Sequence, residues 1–149
     1  MKKVLITGAN SYIGTSFEKY VKEKGVDFKI DTLDLLNPKW ENYDFSGYDS
    51  VFHVAGIAHF SKDESKKELY YKVNTELTDN VAKIAKQAGV GQFIFMSSII
   101  VYGESSSSKR VIDRNTVPNP TNFYGMSKLQ AEEGIKKIGG LKILRDKVY

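Results

Sequence analysis

The first fourteen residues constrain the fold of this chain more than any other stretch. Residues 4–6 form a short apolar run that favours a strand, Gly8 interrupts it, and from Ile13 onwards apolar residues recur at helical spacing. This order predicts a strand, a tight glycine turn and a helix. Such a turn directs free backbone N–H groups and the positive end of the helix dipole towards one point, where a pyrophosphate binds well. The stretch therefore predicts dinucleotide binding.

The glycines of this turn differ at one position from the usual dinucleotide-binding pattern. Gly8 suits the close turn and Gly14 suits the close approach of helix and strand, whereas Ser11 occupies the position of the middle glycine. The Ser11 Cβ widens the loop, but its hydroxyl can donate a hydrogen bond to a phosphate. The alternative interpretation is a strand–loop–helix unit that binds no nucleotide. The predicted cofactor-binding residues of this stretch are Gly8, Asn10, Ser11, Tyr12, Ile13 and Gly14.

Two aspartates follow near the separation at which a carboxylate binds the adenosine ribose of a dinucleotide. A second strand is predicted over residues 26–35, and Asp31 within it lies 23 residues after Gly8. No Arg or Lys occurs in the seven residues after Asp31 to neutralise a 2′-phosphate, so NAD is favoured over NADP. Asp34 is the alternative or additional partner. Asp31 can instead serve only as a turn former.

The composition is typical of a globular protein of the cytoplasm. A length of 149 residues with 41% hydrophobic and 27% charged residues is sufficient for one core, so residues 1–149 are expected to form a single domain. The absence of cysteine excludes disulfides and thiolate metal sites. No apolar run has the length of a signal peptide or a membrane span. The net charge of +4 comes from lysines scattered among acidic residues, which argues against a nucleic-acid partner.

The rest of the chain alternates apolar strand patterns with helical patterns. The predicted strands are residues 49–56, 92–98 and 141–144, and the predicted helices are residues 69–88 and 122–137. This alternation predicts an α/β fold with a Rossmann-type doubly wound parallel sheet that is flanked by helices. Because strand 92–98 is the most apolar, we expect it to be central and covered on both faces.

Small residues end the third predicted strand, at the edge where parallel sheets bind ligands. Ala55 and Gly56 leave room for a cofactor there. His53 lies inside the strand and is interpreted as a core histidine. His59 lies just beyond the strand, where it can contact cofactor or substrate. Two isolated histidines predict no metal site.

Tyr124 and Lys128 are four residues apart on the last long helix and therefore share a face. Tyr20 and Lys24 have the same spacing but lie on the first helix, and we interpret them as a surface pair. What distinguishes Tyr124 is Ser98 at the end of the fourth strand. A cationic lysine one turn away favours the phenolate, the form in which a tyrosine accepts a proton.

Five short motifs occur along the chain in a characteristic order. They are Gly8-Ala-Asn-Ser-Tyr-Ile-Gly14, Asp49-Ser-Val-Phe-His-Val-Ala-Gly56, Val73-Asn74, Ser97-Ser98 followed by Val101-Tyr102-Gly103, and Tyr124-Gly-Met-Ser-Lys128. In order and spacing they resemble the extended short-chain dehydrogenase/reductases. The resemblance is specifically to the NAD-dependent epimerase/dehydratase family, which includes UDP-glucose 4-epimerase-like enzymes.

This resemblance implies an enzyme mechanism and a set of site residues. Tyr124 would be the acid/base, Lys128 would hold the nicotinamide ribose and promote the phenolate, and Ser98 would hydrogen-bond the reacting sugar hydroxyl. Asn74 would help to order the cofactor site. NAD would be the cofactor and a nucleotide sugar, in particular a UDP-sugar, the substrate. Relatives often pair through two long helices, so a homodimer through residues 75–88 and 122–137 is a further expectation.

The chain departs from the family pattern at its carboxyl end. Family members continue into a small domain that grips the nucleotide sugar, whereas this chain ends at Tyr149. Residues 1–149 are thus expected to be the NAD-binding Rossmann domain without the substrate domain. The alternative is a non-catalytic NAD-binding module or truncated remnant that lacks a substrate site.

Overall fold

The computed structural model describes residues 1–58, 63–104 and 111–139, and in them four parallel strands form one sheet. The strands lie in the order β2-β1-β3-β4. Their bounds are Lys2–Thr7 for β1, Phe28–Leu33 for β2, Ser50–His53 for β3 and Gln92–Phe95 for β4. This order confirms the predicted α/β Rossmann-type sheet, although β2, β3 and β4 are shorter than expected.

Helices connect the strands and cover the sheet. Their bounds are Tyr12–Lys24 for α1, Lys67–Tyr70 for α2, Leu77–Gln87 for α3 and Phe123–Ile138 for α4. A π-helical segment, Tyr71–Glu76, joins α2 to α3, so the predicted helix 69–88 is a continuous run with one wide turn inside it. Short 3₁₀ turns occur at Trp40–Asn42, Glu64–Lys66 and Ile99–Tyr102. Among the described residues, no helix has the length and apolar character needed to cross a bilayer.

The caps of α1 and α4 explain where these helices begin and end. Ser11 caps the start of α1 with its side-chain oxygen, and Asn122 caps α4 in the same way. Gly25 ends α1 in the left-handed conformation, with φ of 60°. The Ser11 cap fixes the start of α1 directly after the glycine turn.

Two apolar clusters lie on opposite faces of the sheet. The larger one fills the space between the sheet and helices α3 and α4, and its fully buried members include Leu5, Val51, Val81, Ala82, Ala85, Phe93, Phe95, Ala131 and Ile135. The smaller one lies on the other face, where Phe17 of α1 packs edge-to-face on Phe52, with ring centroids 5.3 Å apart. Each face of the sheet is thus packed against at least one helix.

That strand 92–98 is central and covered on both faces stays a prediction, because the predicted strand 141–144 lies outside the described residues. Among the described strands, β4 pairs with β3. Phe93 and Phe95 are buried beneath the helices, whereas Ile94 on the other face is partly buried. His59 also lies outside the described residues.

Candidate functional site

The turn after β1 is held between the turns that follow its two neighbouring strands. The Gly8 N–H donates to the carbonyl of Leu33, at 3.0 Å. Gly8 has a φ of +113°, and a Cβ at this position would lie 2.8 Å from the backbone nitrogen of Ala55. A side chain would thus collide with backbone that cannot move independently of β3. Position 8 requires glycine for both its conformation and its close contact.

Ser11 takes the place of the middle glycine and begins α1. Its Oγ accepts a hydrogen bond from the Gly14 N–H, at 3.1 Å, which leaves the hydroxyl proton free to donate to a phosphate. A Cβ on Gly14 would lie 2.8 Å from Ser11 Oγ and 3.2 Å from Ile6 Cγ2. Gly14 therefore permits the expected close approach of helix and strand. The free N–H groups of the first helical turn lie beside this loop.

A cleft of about 690 Å³ lies at the carboxyl edge of the sheet. Its lining brings together predicted residues from three different turns, namely Gly8, Ser11, Asp34, Ala55 and Gly56. Tyr12 is 86% exposed, and neither it nor Asn10 nor Ile13 lines the cleft. A second cavity of about 730 Å³ is lined by residues at the amino ends of the strands and on α1, and none of the predicted site residues lines it.

Of the two candidate aspartates, only Asp34 lines the cleft. It directly follows β2, and its Oδ1 accepts a hydrogen bond from the Leu36 N–H at 2.9 Å. Asp31 lies inside β2, and its Oδ2 accepts a hydrogen bond from the Tyr48 hydroxyl at 2.9 Å. Burial raises the pKa of Tyr48, so this hydroxyl stays a donor. The separation from Gly8 favoured Asp31, but β2 continues to Leu33 and brings Asp34 to the edge.

Lys128 projects from α4 towards Gly56. Its side chain is 5% exposed, and Nζ donates to the carbonyl of Met96 at 3.0 Å. The same Nζ lies 4.8 Å from the centroid of the Phe95 ring and 2.9 Å from where a Cβ on Gly56 would stand. Burial lowers the pKa of Lys128 to about 8. The Lys128 ammonium thus occupies the space that a side chain at position 56 would need, and Gly56 itself lines the cleft.

Asn74 ties the loop after β3 to α4. It is fully buried, its Oδ1 accepts from the Ile57 N–H at 2.9 Å and its Nδ2 donates to the Ile57 carbonyl at 3.0 Å. Nδ2 also lies 3.2 Å from Ser127 Oγ. The wide π-helical turn carries Asn74, and the sequence pattern did not predict this turn. These bonds hold the loop beside Gly56 in place.

The Tyr124 side chain packs at the start of α4 and is half-buried. Its ring lies edge-to-face against the ring of Tyr70, with centroids 5.9 Å apart. Tyr70 is itself fully buried and packs on Phe123, with centroids 4.9 Å apart. Aromatic contacts of this kind fix the orientation of a ring on its helix. Tyr124 is therefore held on the same helix as Lys128, one turn earlier.

Ser98 lies on a segment that packs against the start of α4. Its Oγ accepts from the Ile100 N–H at 3.3 Å and caps the 3₁₀ turn that follows. A Cβ on Gly125 would lie 2.8 Å from the carbonyl oxygen of Ile100. Gly125 thus allows this turn to approach α4 beside Tyr124. The structure brings the segments that carry Ser98 and Tyr124 into contact.

His53 is a core histidine, as the sequence indicated. It is fully buried, with Nδ1 2.7 Å from Thr7 Oγ1 and Nε2 2.9 Å from Thr78 Oγ1. Burial lowers the pKa of His53 to about 3, and the charge of Lys128 lowers it further in the same direction. The ring is neutral at pH 7 and links β1, β3 and α3.

The fold and the glycine turn define a Rossmann-type domain. Residues 4–142 match the model of the NAD dependent epimerase/dehydratase family. This chain belongs to the NAD-dependent epimerase/dehydratase family. Membership and the NAD dependence of the family are as the motifs predicted.

Individual relatives agree with this assignment. The chain is 32% identical over 149 residues to an N-acetyl-alpha-D-glucosaminyl-diphospho-ditrans,octacis-undecaprenol 4-epimerase of Escherichia coli O157:H7, covering 90% of this chain and 43% of the relative. It is 31% identical over 151 residues to a UDP-glucose 4-epimerase of Vibrio cholerae, covering 89% and 45%. The structure of RMD from Pseudomonas aeruginosa complexed with NADPH superposes with a TM-score of 0.80 at 25% identity, covering 97% and 53%. The chain thus spans about half the length of these relatives.

Proposed function

We propose that this chain forms the NAD-binding and catalytic half of a nucleotide-sugar epimerase or dehydratase. One observation carries the proposal. Lys128, one turn after Tyr124, reaches Gly56, and Gly56 lines the same cleft as Gly8. The lysine of the tyrosine–lysine pair and the glycine turn thus both lie next to Gly56, at the edge of the sheet where open α/β sheets bind their ligands.

The residues of the cleft fit an NAD molecule. The turn at Gly8 and the start of α1 offer backbone N–H groups to a pyrophosphate, with the Ser11 hydroxyl as a further donor. Asp34 can accept from the adenosine ribose hydroxyls. Lys128 and Asn74 lie next to Gly56 and would order the nicotinamide end. When bound, NAD supplies a reversible hydride acceptor for oxidation of a sugar carbon.

Three side chains of this chain would handle the proton. Tyr124 would take it from a sugar hydroxyl as general base and return it as general acid. The Lys128 ammonium, held in a low-dielectric surrounding, would favour the phenolate form of Tyr124. Ser98 would donate a hydrogen bond to the sugar hydroxyl and orient it.

The second candidate function is a non-catalytic NAD-binding module. It is favoured by the lining of the cleft, which includes Gly8 and Ser11 of the glycine turn and Asp34 but, among the described residues, neither Tyr124 nor Ser98. Such a module would keep the cleft and lack the means to hold a nucleotide sugar.

A homodimer through the helices within residues 75–88 and 122–137 and a cytoplasmic location are further proposals. Light scattering that gives the mass of one chain would contradict the dimer.

Binding and turnover distinguish the two functions. We expect calorimetric titration to show one NAD bound per chain, since one cleft carries the glycine turn. With NAD present, UDP-glucose or UDP-N-acetylglucosamine should then be converted, as followed by chromatography of the nucleotide sugar. NAD binding without any conversion would assign the non-catalytic function. A chain that binds no NAD would refute both.

A further inference from the structure

A second charged side chain is buried on α4, one turn after Lys128. Glu132 is only 1% exposed, and the Ser97 hydroxyl donates to its Oε1 at 2.6 Å. Carboxylates are almost never fully buried unless they are paired or hydrogen-bonded, because desolvation of the charge is costly. The family motifs quoted above do not include Glu132 or account for its burial.

Glu132 and Lys128 hold two consecutive residues at the end of β4. Lys128 donates to the carbonyl of Met96, and Glu132 accepts from the side chain of Ser97. The next residue is Ser98, which begins the turn beside Tyr124. One face of α4 thus fixes the backbone where the chain leaves the sheet and enters the candidate active site.

The charge of Glu132 also acts on Lys128. Burial lowers the pKa of Lys128 to about 8, and the negative charge of Glu132 opposes this shift. Another titratable group near Lys128 is His53, which stacks on the Phe95 ring that Lys128 Nζ also contacts, and its imidazole is neutral. Glu132 is therefore the anion that favours the ammonium form of Lys128 in this part of the described structure.

We propose that Glu132 is a positioning residue of the site: one turn after Lys128 on the buried face of α4, its carboxylate is the counter-charge of the buried ammonium, and Ser97 helps to hold that carboxylate in place. The inference rests on the proposed function in one respect: the effect of the Lys128 ammonium on Tyr124 and NAD. The effect on Lys128 itself is a property of the free chain and can be measured without any ligand.

The test is an NMR titration of the Lys128 side chain in the whole chain, with ¹³C-labelled lysine and Lys128→Met to assign the signal. Glu132→Gln removes the charge but keeps an oxygen that can accept from Ser97. We expect it to lower the titration midpoint of Lys128 by about one pH unit, because an opposite charge nearby is lost. Ser97→Ala keeps the charge and removes one hydrogen bond to the carboxylate, so its shift should be less than half as large.

Two results would overturn the proposal. One is a midpoint in Glu132→Gln equal to that of the wild type. The other is an equal shift in Ser97→Ala, which would assign the effect to the hydrogen bond. If Glu132→Gln alone does not fold, the double variant with Lys128→Met should fold, because it removes both buried charges. A double variant that also fails would contradict charge coupling. If the wild-type chain bound no NAD, the proposed function would be refuted. The titration midpoints of Lys128, which are measured without ligand, would not be affected by that result.

Discussion

Replacement of Tyr124 by phenylalanine is expected to reduce UDP-sugar turnover by at least about 100-fold, the lower range for removing a general acid/base. The affinity for NAD should change little, because the ring keeps its edge-to-face contact with Tyr70 and only the hydroxyl is lost. The measurement is kcat for the nucleotide sugar together with calorimetric titration of NAD. The effect should therefore appear in kcat and not in cofactor binding.

The matched control is Tyr20→Phe. Tyr20 has a lysine four residues later, as Tyr124 does, but its side chain is 56% exposed on α1. We expect this variant to retain wild-type turnover. A Tyr124→Phe variant with turnover close to that of the wild type would rule out a proton-transfer role for the phenol.

Replacement of Gly8 by alanine is expected to abolish measurable NAD binding and to lower the free energy of unfolding by about 2–4 kcal/mol. The added Cβ would be strained at a φ of +113° and would stand 2.8 Å from the Ala55 nitrogen. Relief of this collision must displace the turn after β1 or the loop after β3. Both line the cleft, so chemical denaturation and NAD titration should both report the change.

Gly25→Ala separates strain from collision. Gly25 has a φ of +60°, and a Cβ there would meet nothing within 4 Å. We expect this control to cost about 1–2 kcal/mol from backbone strain alone and to leave NAD affinity unchanged. An equal loss of NAD affinity in both variants would mean that the glycine turn has no special role in binding.

Local signals in the sequence predicted the features that depend on nearest neighbours. Gly25 ends α1 in the left-handed conformation, as is typical of a glycine that directly follows a helix. His53 was expected in the core, and it lies between two threonine hydroxyls. The spacing of Gly8 and Gly14 predicted a close turn and a close helix, and the distances to Ala55 and Ser11 explain why. These features follow from short-range geometry.

Features that depend on tertiary packing could not be predicted in the same way. Hydrophobic content could not show that Ile94 of β4 is only partly buried, because it does not reveal which elements cover a strand. Helical periodicity did not distinguish the π-helical turn at Tyr71–Glu76, which gives Asn74 its position. Residue counting favoured Asp31, whereas β2 ends at Leu33 and Asp34 is the aspartate that lines the cleft. The sequence analysis did not single out Glu132. Its signal was a charged residue at a position of α4 that helical spacing places on the buried face.

The central claim is that the glycine turn and the Tyr124–Lys128 face of α4 share one nicotinamide nucleotide. The most direct measurement is a ¹H–¹⁵N NMR titration of the chain with NAD. We expect saturable shifts, with one dissociation constant, in the amides of residues 8–14, of Gly56 and of residues 124–128. Shifts confined to one of these regions, or found in neither, would contradict it.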